Sequence, residues 1–287
     1  MEQSIKKTLL GHTRDGRPVW SFRIPNNTRD CLEVTNYGCS VRGLYVHDGQ
    51  GEGKDLVRGM ASLEDYEASG QTWAGLLDGP VALAGPLGRK VWEVADQGGN
   101  YVLFSCLCAA GESGLSCDVK VGVRITWVDL DRMVVDYFLT PQGDVALGLG
   151  ARLLLGGRGE DHQVRSFCPQ AALPGQAACP VEETPYGDQQ FRPVEGALFR
   201  NGSEEIKPLA ELWAPGTGMT LSAYGTFPVF QAQAAPDGEG ILLRQRMEAP
   251  VALRGGETLA GRAIYGIDWP RPQEAQAGPQ AFPFFGI

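Results

Sequence analysis

The stretch from Asp118 to Gly157 constrains this chain more than any other. Val119, Val121, Val123 and Ile125 alternate with Lys120, Gly122, Arg124 and Thr126, the period-two pattern of a strand that buries one face. Val134, Val135, Tyr137, Phe138 and Leu139 form a second, almost unbroken apolar run, closed by the turn chemistry of Thr140-Pro141-Gln142-Gly143-Asp144. A third strand follows, with Leu147, Leu149, Ala151, Leu153 and Leu155 pointing one way and Gly148, Gly150, Arg152 and Leu154 the other. Glycines inside a strand weaken it unless a backbone or a ligand must come close. The glycine-and-arginine face is therefore expected to look into a functional cleft.

The rest of the chain repeats this grammar. Asp15-Gly16-Arg17-Pro18 turns into VWSFRIP, followed by CLEVTNYG, SVRGLYVHD and a second turn at Asp48-Gly49-Gln50-Gly51, an antiparallel meander. Ser62 is placed to cap a single helical turn whose Glu64 and Asp65 favour its positive end. Many short strands, punctuated by 39 glycines and 19 prolines and without a sustained helical period, predict an all-β fold, a large antiparallel β-sandwich. Residues 1–268 are expected to form one such domain. Residues 269–287, rich in Pro, Ala, Gln and Gly, are expected to be a tail whose apolar end, Phe282-Pro283-Phe284-Phe285, docks on a surface.

Charge and thiols narrow the function classes. A net charge of −9 opposes nucleic acid, whose phosphates demand a basic patch. Neither a signal-type start nor an apolar run of bilayer length is present, so a cytoplasmic location without a membrane partner is expected. The seven cysteines contain no CxxC pair and mostly sit in apolar strand patterns, which predicts reduced core thiols; no metal or other cofactor is expected.

Motifs in register extend the reading. Glu33-Val34-Thr35-Asn36-Tyr37-Gly38-Cys39, the strand ending at His47-Asp48, Lys54-Asp55-Leu56-Val57-Arg58-Gly59 and Ser62-Leu63-Glu64-Asp65-Tyr66 come in the order and spacing of the "TNYGA", "vpD", "DvvlG" and "sleeY" segments of the galactose mutarotase (aldose 1-epimerase) family. The chain resembles that family further on. Gly75 to Ala82 is similar to its "GatvGPyAnRi", and Gly85 to Trp92 to its "HGGlkGfdkrvW". The 114–157 region is similar to its long hairpin ending in "nltnHsYfnLgG", Pro185 to Arg192 to "tpfDFr", Gly240 to Gln245 to "GiclEtq", and Gly255 to Leu259 to "kpGety". The resemblance covers about residues 8–268. It implies the family's galactose mutarotase-like supersandwich, with a sugar cleft on the concave face of a curved sheet, and a small carbohydrate as partner.

The resemblance also implies a chemistry, and the residues for it are missing. The family opens the sugar ring with a glutamate base and a histidine acid, helped by a second histidine, an aspartate and an arginine. Here Ala84 stands at the "HGG" histidine, Gly150 at the "tnH" histidine and Arg244 at the "clE" glutamate. The family arginine falls in a deletion between Ala82 and Leu83, and the segment with the aspartate is expected to be lost near Glu211–Ala214. The three histidines, His12, His47 and His162, lie elsewhere. A positioned acid or base contributes roughly two to four powers of ten in rate, so efficient mutarotase activity by the family route is not expected.

What replaces these groups is positive. Arg152 lies two residues after Gly150, and Arg244 and Arg246 share a strand face. One reading is a pocket for an anionic sugar such as a uronate or sugar phosphate, lined by Arg152, Arg244, Arg246 and Asp78, with Trp73 stacked on the ring. The other is that these arginines pair with Asp78, Asp161, Glu239 or Glu248 and plug an abandoned site. Two further possibilities stay open: an isomerase recruiting Asp78, Tyr224 or His162 as its new acid and base, and a structural role in an assembly. Trp92 is expected to be packing.

Overall fold

The computed structural model describes residues 4–26, 29–48, 50–68, 77–78, 87–128, 131–157, 161–235 and 237–269. Among them the chain forms twenty-three strands in four sheets. The opening meander is a five-stranded sheet in sequence order: β1 (Lys6–His12), β2 (Pro18–Pro25), β3 (Cys31–Thr35), β4 (Ser40–His47) and β5 (Gly53–Asp55). The largest sheet has nine strands. Across it run β16 (Arg192–Pro193), β13 (Gln163–Ser166), β18 (Lys207–Ala214), β19 (Met219–Gly225), β23 (Leu259–Asp268), β10 (Arg132–Pro141), β9 (Val119–Val128), β8 (Tyr101–Cys108) and β7 (Glu93–Gln97). A seven-stranded sheet runs β15 (Cys179–Pro180), β14 (Gln170–Ala172), β17 (Leu198–Arg200), β20 (Val229–Ala234), β21 (Ile241–Arg246), β12 (Gly150–Leu155) and β6 (Leu77–Asp78). Finally, β11 (Val145–Leu147) pairs with β22 (Val251–Leu253).

The alternating residues of the central hairpin explain why these sheets stack. Val121, Val123 and Ile125 of β9 and Val135, Tyr137 and Leu139 of β10 are buried on one face. They share a single core with Phe22, Ile24 and Leu32 of the first sheet and with Ala151, Leu153, Leu243 and Phe230 of the seven-stranded one. Rings cross the layers: Phe22 meets Phe104 edge-on at 5.5 Å, and Tyr137 meets Phe227 at 6.0 Å. Each such side chain contributes about 1.5–3 kcal/mol by leaving water, so the hairpin's inner face is the seam of the sandwich.

Local expectations hold at several points. The helix α1 spans Leu63–Ala68. Ser62 Oγ accepts the Asp65 N–H at 3.2 Å while the Asp65 carboxylate accepts the Ser62 N–H at 3.0 Å, a reciprocal cap. Trp92 is buried and donates from Nε1 to the Leu87 carbonyl at 3.0 Å, as packing requires. Gly38 takes φ 64°, and a Cβ there would lie 2.3 Å from the Gly88 carbonyl oxygen. Only glycine lets this turn close against the 87–90 segment, where the Gly38 N–H donates to the Lys90 carbonyl at 2.8 Å.

One expectation is corrected. The run from Leu147 to Leu155 is not one strand but two, with Gly148 and Leu149 between β11 and β12. The chain crosses there from the two-stranded to the seven-stranded sheet, and the Leu149 carbonyl accepts the Met247 N–H at 2.9 Å on the way. Gly148 is thus a crossing residue, and only Gly150, Arg152 and Leu154 belong to the strand face in question.

Candidate functional site

The site is built on the outer face of the seven-stranded sheet. β12 turns Ala151, Leu153 and Leu155 into the core, so alternation sends Gly150, Arg152 and Leu154 to the other side. β21 buries Ile241 and Leu243 in the same core and sends out Leu242, Arg244 and Arg246. Register then brings the arginines together. Arg152 lies directly opposite Arg244, Gly150 opposite Arg246, and Gly150 opposite Asp78 on its other side.

Residues directly opposite in a sheet have Cβ atoms about 4.5–5.5 Å apart. Arg152 and Arg244 therefore root neighbouring side chains, and Arg246 stands two residues further along β21. Arg152 is 8% exposed, and Arg244 and Arg246 are half-buried. Water screens charges in such a setting less than at an open surface. Gly150, buried in the same strand as Arg152, places no side chain beside the arginines. The arrangement is chemically suited to a carboxylate or a phosphate, which the planar guanidinium fork grips at two oxygens.

The acids named as plugs are engaged elsewhere in two cases of four. Glu248 pairs with Arg200 at 2.7 Å. Glu239 pairs with Arg58 at 3.4 Å, and Asp237 joins the same guanidinium at 2.6 Å. Asp161 lines a separate cavity of about 570 Å³ together with His162, Lys54 and Trp269. The backbone of Asp78 is in β6; Trp73, Ala84 and the 82–83 deletion lie outside the described residues, as does the tail beyond Trp269. The alternative acid–base candidates are dispersed. Tyr224 is in β19 of the nine-stranded sheet, and His162 is buried in the connection from β12 to β13.

Two features escape the sequence reading. Gln231 and Gln233 of β20 stand on the same outer face as the arginines, with Gln231 directly opposite Arg244. The alternation in VFQAQA is the signal that marks them, since Phe230 and Ala232 are the core partners. The second is a charge pair. Glu211, near which the family's aspartate-bearing segment is expected to be missing, is in β18, where it accepts Arg165 Nε at 2.6 Å. Burial raises the Glu211 pKa, and Arg165 opposes that rise.

The large antiparallel sandwich defines the class of fold. A scan against protein-family models finds no match. Galactose mutarotase of Rattus norvegicus is 26% identical over 230 residues, 68% of this chain and 64% of that protein, a little under two thirds of its length. Galactose 1-epimerase of Lactobacillus acidophilus superposes with a TM-score of 0.75 at 13% identity, covering 92% of this chain and 99% of that one. An aldose epimerase homologue of C. elegans gives 0.74 at 16% identity over 86% and 98%. The chain is related in sequence to the galactose mutarotases and has the fold of the aldose 1-epimerase family.

Proposed function

We propose that this chain binds a carbohydrate carrying a negative charge, a uronate or a sugar phosphate, and does not interconvert anomers by the family's acid–base route. The observation that carries the reading is the direct cross-strand pairing of Arg152 with Arg244, with Arg246 two residues further along β21 and directly opposite Gly150. Relationship to galactose mutarotases supports a sugar as the scaffold's ligand class. A guanidinium group, Arg244, at the position where the family resemblance implies the glutamate base, with Arg152 two residues from the histidine position now held by Gly150, supports an anion as the distinguishing group, since arginine stays charged and does not shuttle protons.

Thermal melts and calorimetry with glucuronate, galacturonate, glucose 6-phosphate and their neutral parents test this. An acidic sugar at a hundredfold excess over its Kd is expected to raise Tm by about 5 °C or more, with neutral sugars giving no comparable shift. Arg244→Ala is expected to weaken acidic-sugar binding roughly 10- to 100-fold, the worth of a hydrogen bond to a charged group. Absence of stabilisation by every acidic sugar overturns the reading.

A further inference from the structure

The row that begins at Arg152 continues past Arg244. Register carries it through Gln231 of β20 and Leu198 of β17 to Ala172 of β14. At roughly 4.8 Å per strand, those four steps span about 19 Å, longer than a single pyranose ring. The far part of the row opens into a cavity of about 590 Å³, walled by Ala172, Leu198, Gln231, Gln233, Gln176 and Glu195. A volume of this size is in the range of small-ligand sites.

The chemistry changes along the row. Near Arg152 it is cationic; in the cavity Glu195 is the one charged residue among the described lining. Gln231 donates from Nε2 to the Gly196 carbonyl at 3.0 Å, which ties the 194–196 loop to the sheet and orients the amide so that its oxygen is the acceptor left for a ligand. Gln233 stands two residues on, half-buried on the same face. Amides and a carboxylate exchange hydrogen bonds with hydroxyl groups, whereas Glu195 repels a second anion. Leu198 and Ala172 supply an apolar floor for the C–H face of a ring.

We propose that this cavity is a second subsite continuous with the arginine face. The ligand is then a disaccharide or longer chain, its anionic group at Arg152 and Arg244 and a neutral sugar ring over Gln231 and Gln233. This rests on the anionic-sugar reading above and adds the length and polarity of the ligand. Calorimetry on the full chain with matched pairs tests it: glucuronate against an aldobiouronic acid, in which the same uronate is joined to a neutral pyranose, and glucose 6-phosphate against trehalose 6-phosphate.

In at least one pair the disaccharide is expected to bind tenfold or more tightly than the monosaccharide. Gln233→Ala is expected to remove that advantage while leaving monosaccharide affinity and the ligand-free melting curve unchanged. Equal affinity within both pairs overturns the second subsite while leaving the arginine site standing. Loss of monosaccharide and disaccharide binding together in a Gln233→Ala protein that melts normally also overturns it, because the residue would then belong to the first subsite. If no anionic sugar of either length binds, both readings fall.

Discussion

Asp131 follows the connection from β9 to β10 with its backbone in the left-handed region at φ 52°, a conformation that Asp and Asn tolerate better than most residues. Its carboxyl accepts Asn26 Nδ2 at 3.0 Å and lies within hydrogen-bonding range of Asp30. Asp30 in turn meets His47 Nδ1 at 2.6 Å and accepts the His47 N–H at 2.8 Å. Burial, then the charge and hydrogen bond of Asp30, push the Asp131 pKa up to about 6, against about 3.9 for an aspartate in an unfolded chain. Between those values the folded state holds a proton that the unfolded chain has shed. Stability from this site is thus fully present in acid and is lost as pH rises through about 6. Asp131→Asn keeps the backbone preference, supplies a permanent donor to Asp30 and removes the charge. The variant is expected to melt higher than the native chain at pH 8, with the gap closing toward pH 4. Two melting curves that stay parallel across that range would sink the assignment.

At the scale of elements, the pair of Arg165 and Glu211 joins β13 to β18, and Ser222 Oγ of β19 donates to Glu211 Oε1 at 3.4 Å. The guanidinium carbon also lies 4.7 Å from the Phe191 ring centroid, so both charges are enclosed. Removing one partner of a buried pair strands the other charge, at a cost of about 3–5 kcal/mol. Glu211→Ala is expected to lose stability of that order in urea unfolding, and the double change Arg165→Met with Glu211→Leu to recover most of it. A loss below about 1 kcal/mol in the single variant would mean that water already reaches the pair. The sequence hides this strand for a physical reason. A register shift between Pro208 and Ala210 inserts an extra residue, so Leu209 and Ala210 are both buried, and the alternation that identifies a strand changes phase in mid-run. The central hairpin has no such break in its pairing, and β9 and β10 are legible residue by residue.

For the whole molecule, legibility follows the range of the interaction. The opening meander is readable because each of its strands pairs with its neighbour in sequence. That Arg152 and Arg244 face outward is readable from alternation within β12 and β21, but their placement directly opposite one another is set by long-range register, which local pattern does not encode. The same holds for Gln231, whose relation to Arg244 exists only after β20 and β21 pair. The last consequence concerns activity. Opening a pyranose needs one group to take a proton from the anomeric hydroxyl and another to give one to the ring oxygen, each contributing roughly two to four powers of ten. The arginine row, from Arg152 through Arg244, Gln231 and Leu198 to Ala172, offers guanidinium, amide and aliphatic groups and no carboxylate or imidazole, and His162 and Tyr224 are elsewhere. NMR exchange measurements on galactose and glucose are therefore expected to give the buffer rate. Asp78, whose backbone lies directly opposite Gly150, is the candidate to test. A rate above buffer that vanishes in Asp78→Asn would show that the scaffold has rebuilt its proton transfer around a new acid; a rate equal to buffer in both proteins leaves the arginines with binding alone.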